Sequence, residues 1–201
     1  MTSSDRAQLD AEAKDRIAAR VGTVLDGRRL LERAAADSRP GGLGGVRVGF
    51  ACAEFNGAIT ARLLEGALDA LGEAGGDLGV ATVVWAPGAF ELPVVAQRLA
   101  SSGAVDAVVC LGAVIRGETG HYDFVAGECA AGIQRVQLDL GVPVSFGVLT
   151  TDTVEQALAR SEPGEGNKGR EALLTALETA SLLEAVAEGA AQPAGVAARP
   201  A

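Results

Sequence analysis

One histidine occurs in the 201 residues, His121, in the stretch RGETGHYDF at 116–124. An imidazole exchanges protons near neutral pH. This one follows directly on a short turn of Gly117, Glu118, Thr119 and Gly120. A Gly/Thr turn that opens a helix presents backbone N–H groups and the positive end of the helix dipole to an anion. Two readings of His121 stay open on that pattern: a proton-transfer group beside a bound phosphate, or a solvated loop residue. The stretch has neither the GxGxxG dinucleotide fingerprint nor the GKT or GKS ending of a nucleoside-triphosphate loop, so a single phosphate fits better.

Two cations lie eight residues apart around a Gly-rich loop, Arg160 and Lys168 in LARSEPGEGNKG. A guanidinium can clamp a phosphate with its planar fork, and an ammonium is a point charge suited to an electron-rich carbonyl or an anionic intermediate. Either can also be an ordinary surface charge. Lysine near a helix start opposes the dipole, which favours a functional task. In FNGAIT, Phe55 leaves a strand where a planar heterocycle could stack on it, or where it could fill core, with Asn56 beside it. In PGAFELP, Gly88 allows close backbone approach beside Ala89 and Phe90. Glu91 there is either a first-turn acid or a carboxylate that grips ligand hydroxyls.

These residues need elements to hold them. From residue 46, apolar runs alternate with helical periodicity: strands at 46–52, 79–86, 104–115 and 142–150, and helices at 58–75, 90–103, 121–141, 153–161 and 169–188. Four strands that are nearly all apolar, separated by helices, predict an α/β fold of three layers, flavodoxin-like, with a central four-stranded parallel sheet covered by helices on both faces. Phe55 and Asn56, Trp85 and Pro87–Glu91, Gly117–Thr119 with His121, and Thr150–Asp152 then follow the four strands in turn, at the rim where such sheets bind ligands. Residues 1–36 place Leu9, Ala13, Ile17, Val21 and Val24/Leu25 at steps of three and four, which predicts an N-terminal amphipathic helical extension. DSRPGGLGG at 37–45 reads as a Gly/Pro linker, 46–188 as the main domain, and 189–201 as a frayed tail.

The formal charge of −9 argues against broad nucleic-acid binding, because a polyanion would be repelled. Cys52, Cys110 and Cys129 have neither paired zinc spacing nor an even count, so no metal site and no disulfide framework is expected. With no secretory-type apolar stretch at the N-terminus and no run long enough to span a membrane, the expectation is a soluble cytoplasmic protein.

The stretches FNGAIT, WAPGAFELP, GAVIRGETGHYDFV, PVSFGVLTTDTVEQALAR and GNKGREAL, in this order, resemble the 6,7-dimethyl-8-ribityllumazine synthase family from about Gly45 to Ala187. The resemblance implies a transferase of riboflavin biosynthesis that needs no metal or organic cofactor. It condenses 5-amino-6-ribitylamino-uracil with 3,4-dihydroxy-2-butanone 4-phosphate and releases phosphate and water. By motif, Phe55 would stack on the pyrimidine, with Asn56 shaping that wall. Ala89 and Glu91 would bind the ribityl chain, with Phe90 between them also a substrate-binding residue, and Val114 and Ile115 would meet the pyrimidine edge through backbone groups. Gly117, Glu118 and Thr119 would hold the phosphate, and His121 would shuttle protons. From the adjoining subunit, Phe146 would close the pocket, Arg160 would pair with the phosphate, and Lys168 would reach the ring system.

The family forms pentamers, and some members pack twelve of them into a sixty-subunit icosahedral shell; riboflavin synthase is a further partner the resemblance allows. Two departures stand out, Glu54 before Phe55 and Gly120 before His121, and neither removes a proposed functional group. The alternatives are a non-catalytic shell-forming or flavin-binding homologue, for which the His121, Arg160 and Lys168 trio would have no use, and an archaeal-type riboflavin synthase, which would not need a phosphate turn.

Overall fold

The computed structural model describes residues 11–21, 23–26 and 45–189. The expected linker up to residue 44 and the tail beyond 189 lie outside the described residues. The elements run α1 (Ala11–Ala18), β1 (Thr23–Asp26), β2 (Val48–Ala53), α2 (Gly57–Glu73), β3 (Thr82–Ala86), α3 (Leu92–Ala100), β4 (Ala107–Ile115), α4 (His121–Leu140), β5 (Val144–Thr151), α5 (Val154–Ala159) and α6 (Lys168–Gly189). Short 3-10 turns at Leu78–Val80 and Ala89–Glu91 occupy what the apolar pattern had assigned to the start of a strand and of a helix. Asp77 accepts from the Gly79 N–H at 2.8 Å and so holds the first of these turns out of the ladder.

The strands lie in the order β1-β3-β2-β4-β5, all parallel. The four strands expected from the alternation are all there. The extension departs from its helical expectation. Its helix stops at Ala18, and Thr23–Asp26 pairs in register with Thr82–Trp85 as a fifth, edge strand. Gly22 and the β-branched Thr23 and Val24 are poor helix continuers, and the outer edge of β3 offers an unused hydrogen-bonding ladder. α1 itself packs on the fold, with Ala13 and Ile17 buried, Arg16 bonded to Glu65 at 3.3 Å, and Arg20 bonded to Asp69 at 2.5 Å.

From β2 the chain moves one way to reach β3 and the opposite way to reach β4 and then β5. Right-handed crossovers therefore place α2 on one face and α3 and α4 on the other. Alternate side chains of each strand feed two separate cores. Phe50, Cys52, Val109 and Leu111 pack with α2 and α6 residues such as Leu63, Leu64, Leu68 and Leu173. Ala51, Ala53, Val108 and Cys110 pack with Leu92, Ala96, Cys129 and Ile133. The reversal of direction lies between the carboxyl ends of β2 and β4, where a sheet of this type opens a crevice.

The three cysteines are free and buried. Burial pushes all three thiols up, Cys129 to about 12. A thiol with a raised folded value contributes its full stability below the ordinary value of about 8.5 and loses it as pH rises toward the folded value. Two outcomes are expected: iodoacetamide at mildly alkaline pH leaves the native thiols intact while the denatured chain loses all three, and stability to urea declines as pH is raised above that ordinary value. Rapid labelling of the native protein would contradict this burial.

Candidate functional site

Three βα loops meet at the reversal point and enclose a cavity of about 430 Å³. The loop after β2 supplies Phe55, the loop after β3 supplies Pro87 through Glu91, and the end of β4 with the start of α4 supplies Ala113–Ile115, Gly117, Thr119, His121, Tyr122 and Val125. The first two loops are stitched together, since the Glu54 N–H donates to Ala86 O at 2.8 Å and the Phe55 N–H to Pro87 O at 3.2 Å. Phe55 is 48% and Phe90 58% exposed. Two aromatic rings left uncovered at a cavity mouth are surfaces on which a planar ligand can stack. Gly88 lies beneath them: a Cβ there would meet Glu91 Oε2 at 3.2 Å and Phe55 Cβ at 4.0 Å. Any larger residue at 88 would crowd the carboxylate that faces the cavity.

Asn56 is placed differently from its neighbour. It is 8% exposed, adopts a left-handed φ of 58°, and its Nδ2 donates to Ala113 O at 2.9 Å. The side chain thereby ties the end of β2 to the end of β4, directly under the cavity wall formed by Ala113–Ile115. Asparagine is among the few non-glycine residues that enter this backbone region, and here the long-range bond to Ala113 holds it there.

Among the described residues no side chain caps the N-terminus of α4, which begins at His121. The positive dipole end of a 20-residue helix therefore meets the cavity beside the Gly117–Gly120 turn. Arg116 anchors that turn from outside. Its N–H donates to Thr151 O at 2.9 Å, its Nε to Asp152 at 3.0 Å and its Nη1 to Asp123 at 3.3 Å. Its guanidinium also stacks 4.0 Å from the Tyr122 ring centroid. Hydrogen bonding to Asp152 raises the Arg116 pKa further, so this cation is consumed by its two carboxylates. Glu118 lies in the same turn but is not part of the cavity lining.

Phe146, Arg160 and Lys168 are not in this cavity. They line a second cleft of about 280 Å³, with Ser145, Gly147–Thr150, Glu171, Ala172 and Thr175. That cleft lies at the free edge of β5 beside α6; α6 covers the face of the sheet opposite α4, while the register of Phe146 with Cys110 puts Phe146 on the α4 face. Arg160 Nη1 donates to Gln156 O at 3.0 Å, and Lys168 Nζ pairs with Glu171. Within one protomer the candidate residues thus fall into two separate clefts.

Tyr122 and Val125 belong to the cavity and were missed from the sequence, although Val125 lies four residues after His121 and so on the same helix face. Asn167, beside Lys168, was also missed. It is 1% exposed, and its carboxamide makes hydrogen bonds to Arg62, Ser161, Glu162, Gly169 and Arg170. An asparagine directly before a helix is a general cap signal, but nothing local in the sequence points to the α2 contacts that bury it.

The family model described as 6,7-dimethyl-8-ribityllumazine synthase matches residues 45–184. The 6,7-dimethyl-8-ribityllumazine synthase of Edwardsiella ictaluri (strain 93-146) is 56% identical over 143 residues, covering 70% of this chain and 91% of that protein. The protein of the same name from Protochlamydia amoebophila (strain UWE25) is 52% identical over 139 residues, covering 69% of this chain and 81% of that protein.

Proposed function

This chain belongs to the 6,7-dimethyl-8-ribityllumazine synthase family, and on that premise we propose that its two half-sites, supplied by neighbouring protomers, form one active site. The activity is the family's transferase reaction, in which 5-amino-6-ribitylamino-uracil condenses with 3,4-dihydroxy-2-butanone 4-phosphate to the lumazine. The observation that carries the proposal is the separation of the residues: Phe55, Glu91 and His121 line one cavity, whereas Phe146, Arg160 and Lys168 line another. A homo-oligomer brings the second set of one copy to the first set of the next, and a ring of five is the assembly the family resemblance implies.

In this reading the pyrimidine stacks on Phe55, its edge meets backbone groups of Val114 and Ile115, and the ribityl hydroxyls reach Glu91 between Ala89 and Phe90. The phosphate of the second substrate sits at the uncapped start of α4, against the backbone of Gly117, Glu118 and Thr119. Arg160 of the neighbouring copy closes on it. The 5-amino group attacks the ketone carbon, and loss of water leaves an imine. His121 carries the proton from the nitrogen to the departing oxygen, then removes a carbon-bound proton as phosphate leaves. Loss of phosphate leaves an enol, which takes up a proton at its terminal carbon to become a ketone; the ribityl-bearing nitrogen attacks that new carbonyl, and loss of a second water closes the ring.

Holding the two substrates in contact supplies up to about 7 to 11 kcal/mol of the barrier reduction. Proton transfer by one residue supplies a further factor of about 10² to 10⁴. His121→Ala is therefore expected to lower kcat without abolishing turnover, while Arg160→Ala mainly raises KM for the phosphorylated substrate. The assay follows lumazine absorbance and released phosphate from the two substrates. A purified protein that remains strictly monomeric and fully active would refute the shared site. Among the described residues no helix is long and apolar enough to cross a membrane, which suits a cytoplasmic enzyme acting on soluble substrates.

A further inference from the structure

Arg160 ends α5 and Lys168 begins α6, with a seven-residue loop between them. Their backbones are nevertheless joined, because the Lys168 N–H donates to Arg160 O at 2.9 Å. The residue that folds the loop into this contact is Asn167. Its Oδ1 accepts from the Gly169 and Arg170 N–H groups at 2.9 and 3.2 Å, which is the cap that α6 requires. Its Nδ2 faces three carbonyls, Ser161 O at 3.0 Å, Arg62 O at 3.1 Å and Glu162 O at 3.2 Å. One carboxamide therefore fixes the start of α6, the loop just after Arg160, and the wall of α2. The approach is close: a Cβ on Gly66 would meet Asn167 Cγ at 2.4 Å.

A lysine at the first position of a helix opposes the dipole. Satisfying the first free N–H groups with Asn167 offsets that cost and lets Lys168 face the cleft rather than retreat into solvent. We propose that Asn167 is a positioning residue that sets the spacing of Arg160 and Lys168, and through them the affinity of the site for the phosphorylated substrate. The assignment rests on the reading of those two cations given above.

The test compares KM for each substrate in Arg160→Ala and in Asn167→Asp, with assembly checked by sedimentation. Asp is isosteric and keeps the acceptor that caps α6, but at neutral pH its second oxygen is an anion facing three carbonyls. N167D is expected to raise KM for the butanone phosphate about tenfold or more at neutral pH, with KM for the pyrimidine changed less than about twofold. Burial among carbonyls favours the protonated acid, so lowering the pH restores a donor and should bring the ratio to wild type, taken at the same pH, back toward one. If R160A leaves KM for the phosphorylated substrate unchanged, the reading of the site itself fails. If R160A raises it while N167D does not, or if N167D raises both KM values alike, or if acid brings no recovery, the positioning role of Asn167 is overturned and the site reading stands. An N167D that fails to assemble at any pH would make the amide a folding element alone and would equally overturn the role.

Discussion

Coexpressed in equal amounts and assayed below KM, His121→Ala and Arg160→Ala protomers are expected to reach about a quarter of the wild-type kcat/KM per site, well above either parent. The two residues line separate clefts of one protomer. In a ring of head-to-tail contacts each site takes one cleft from each neighbour, and about one pairing in four then carries both residues intact. Each parent assembly starts far lower. Losing the histidine removes about 10²-fold or more of proton-transfer catalysis. Losing a charge-assisted contact to phosphate costs about 1.5–3 kcal/mol, or roughly ten- to a hundredfold in kcat/KM. The recovery is thus large against either background. Activity of the mixture equal to the mean of the two parents would mean that each site is built from a single chain.

The largest stability effect should come from Gly169→Ala. A Cβ at this position would lie 1.9 Å from Leu63 O and 2.5 Å from the Leu63 carbonyl carbon, both backbone atoms in the middle of α2. No rotamer change relieves such a contact, so the start of α6 must move away from α2 and pull the Asn167 cap with it. Overpacking of this kind costs about 3 kcal/mol or more, which for a chain of this size lowers Tm by roughly 6–12 °C. Gly166→Ala, three residues earlier in the same motif, is the control. A Cβ there meets nothing within 4 Å, and the residue has no left-handed φ, so its Tm should match the wild type within about 1 kcal/mol equivalent. A thermal melt of both variants separates them. Equal Tm values would show that the α2–α6 approach is looser than described.

The candidate residues of the first cavity were legible because they carry strong local signals. His121 is the only histidine, Gly117–Gly120 form a turn of recognisable composition, and the turn leads into a 20-residue helix that His121 begins. The four main strands were legible because each is apolar on both faces, as burial under two layers of helix requires. The fate of 23–26 was not legible. Val24 and Leu25 continue the 3.6-residue spacing of the helix before them, and only the open edge of β3 draws them into the sheet. Asn167, Gly66 and Gly169 were silent for a different reason: their roles depend on α2 and α6 being in contact, about a hundred residues apart in the chain.

Residue type and spacing alone marked the candidate groups and the strand-helix alternation that carries them, because proton affinity, charge and hydrophobic period are properties of short segments. Tertiary structure alone decided that these groups divide between two separate clefts of one protomer. The side on which a loop emerges follows from crossover handedness and strand order, and both are set by long-range packing that no single segment contains.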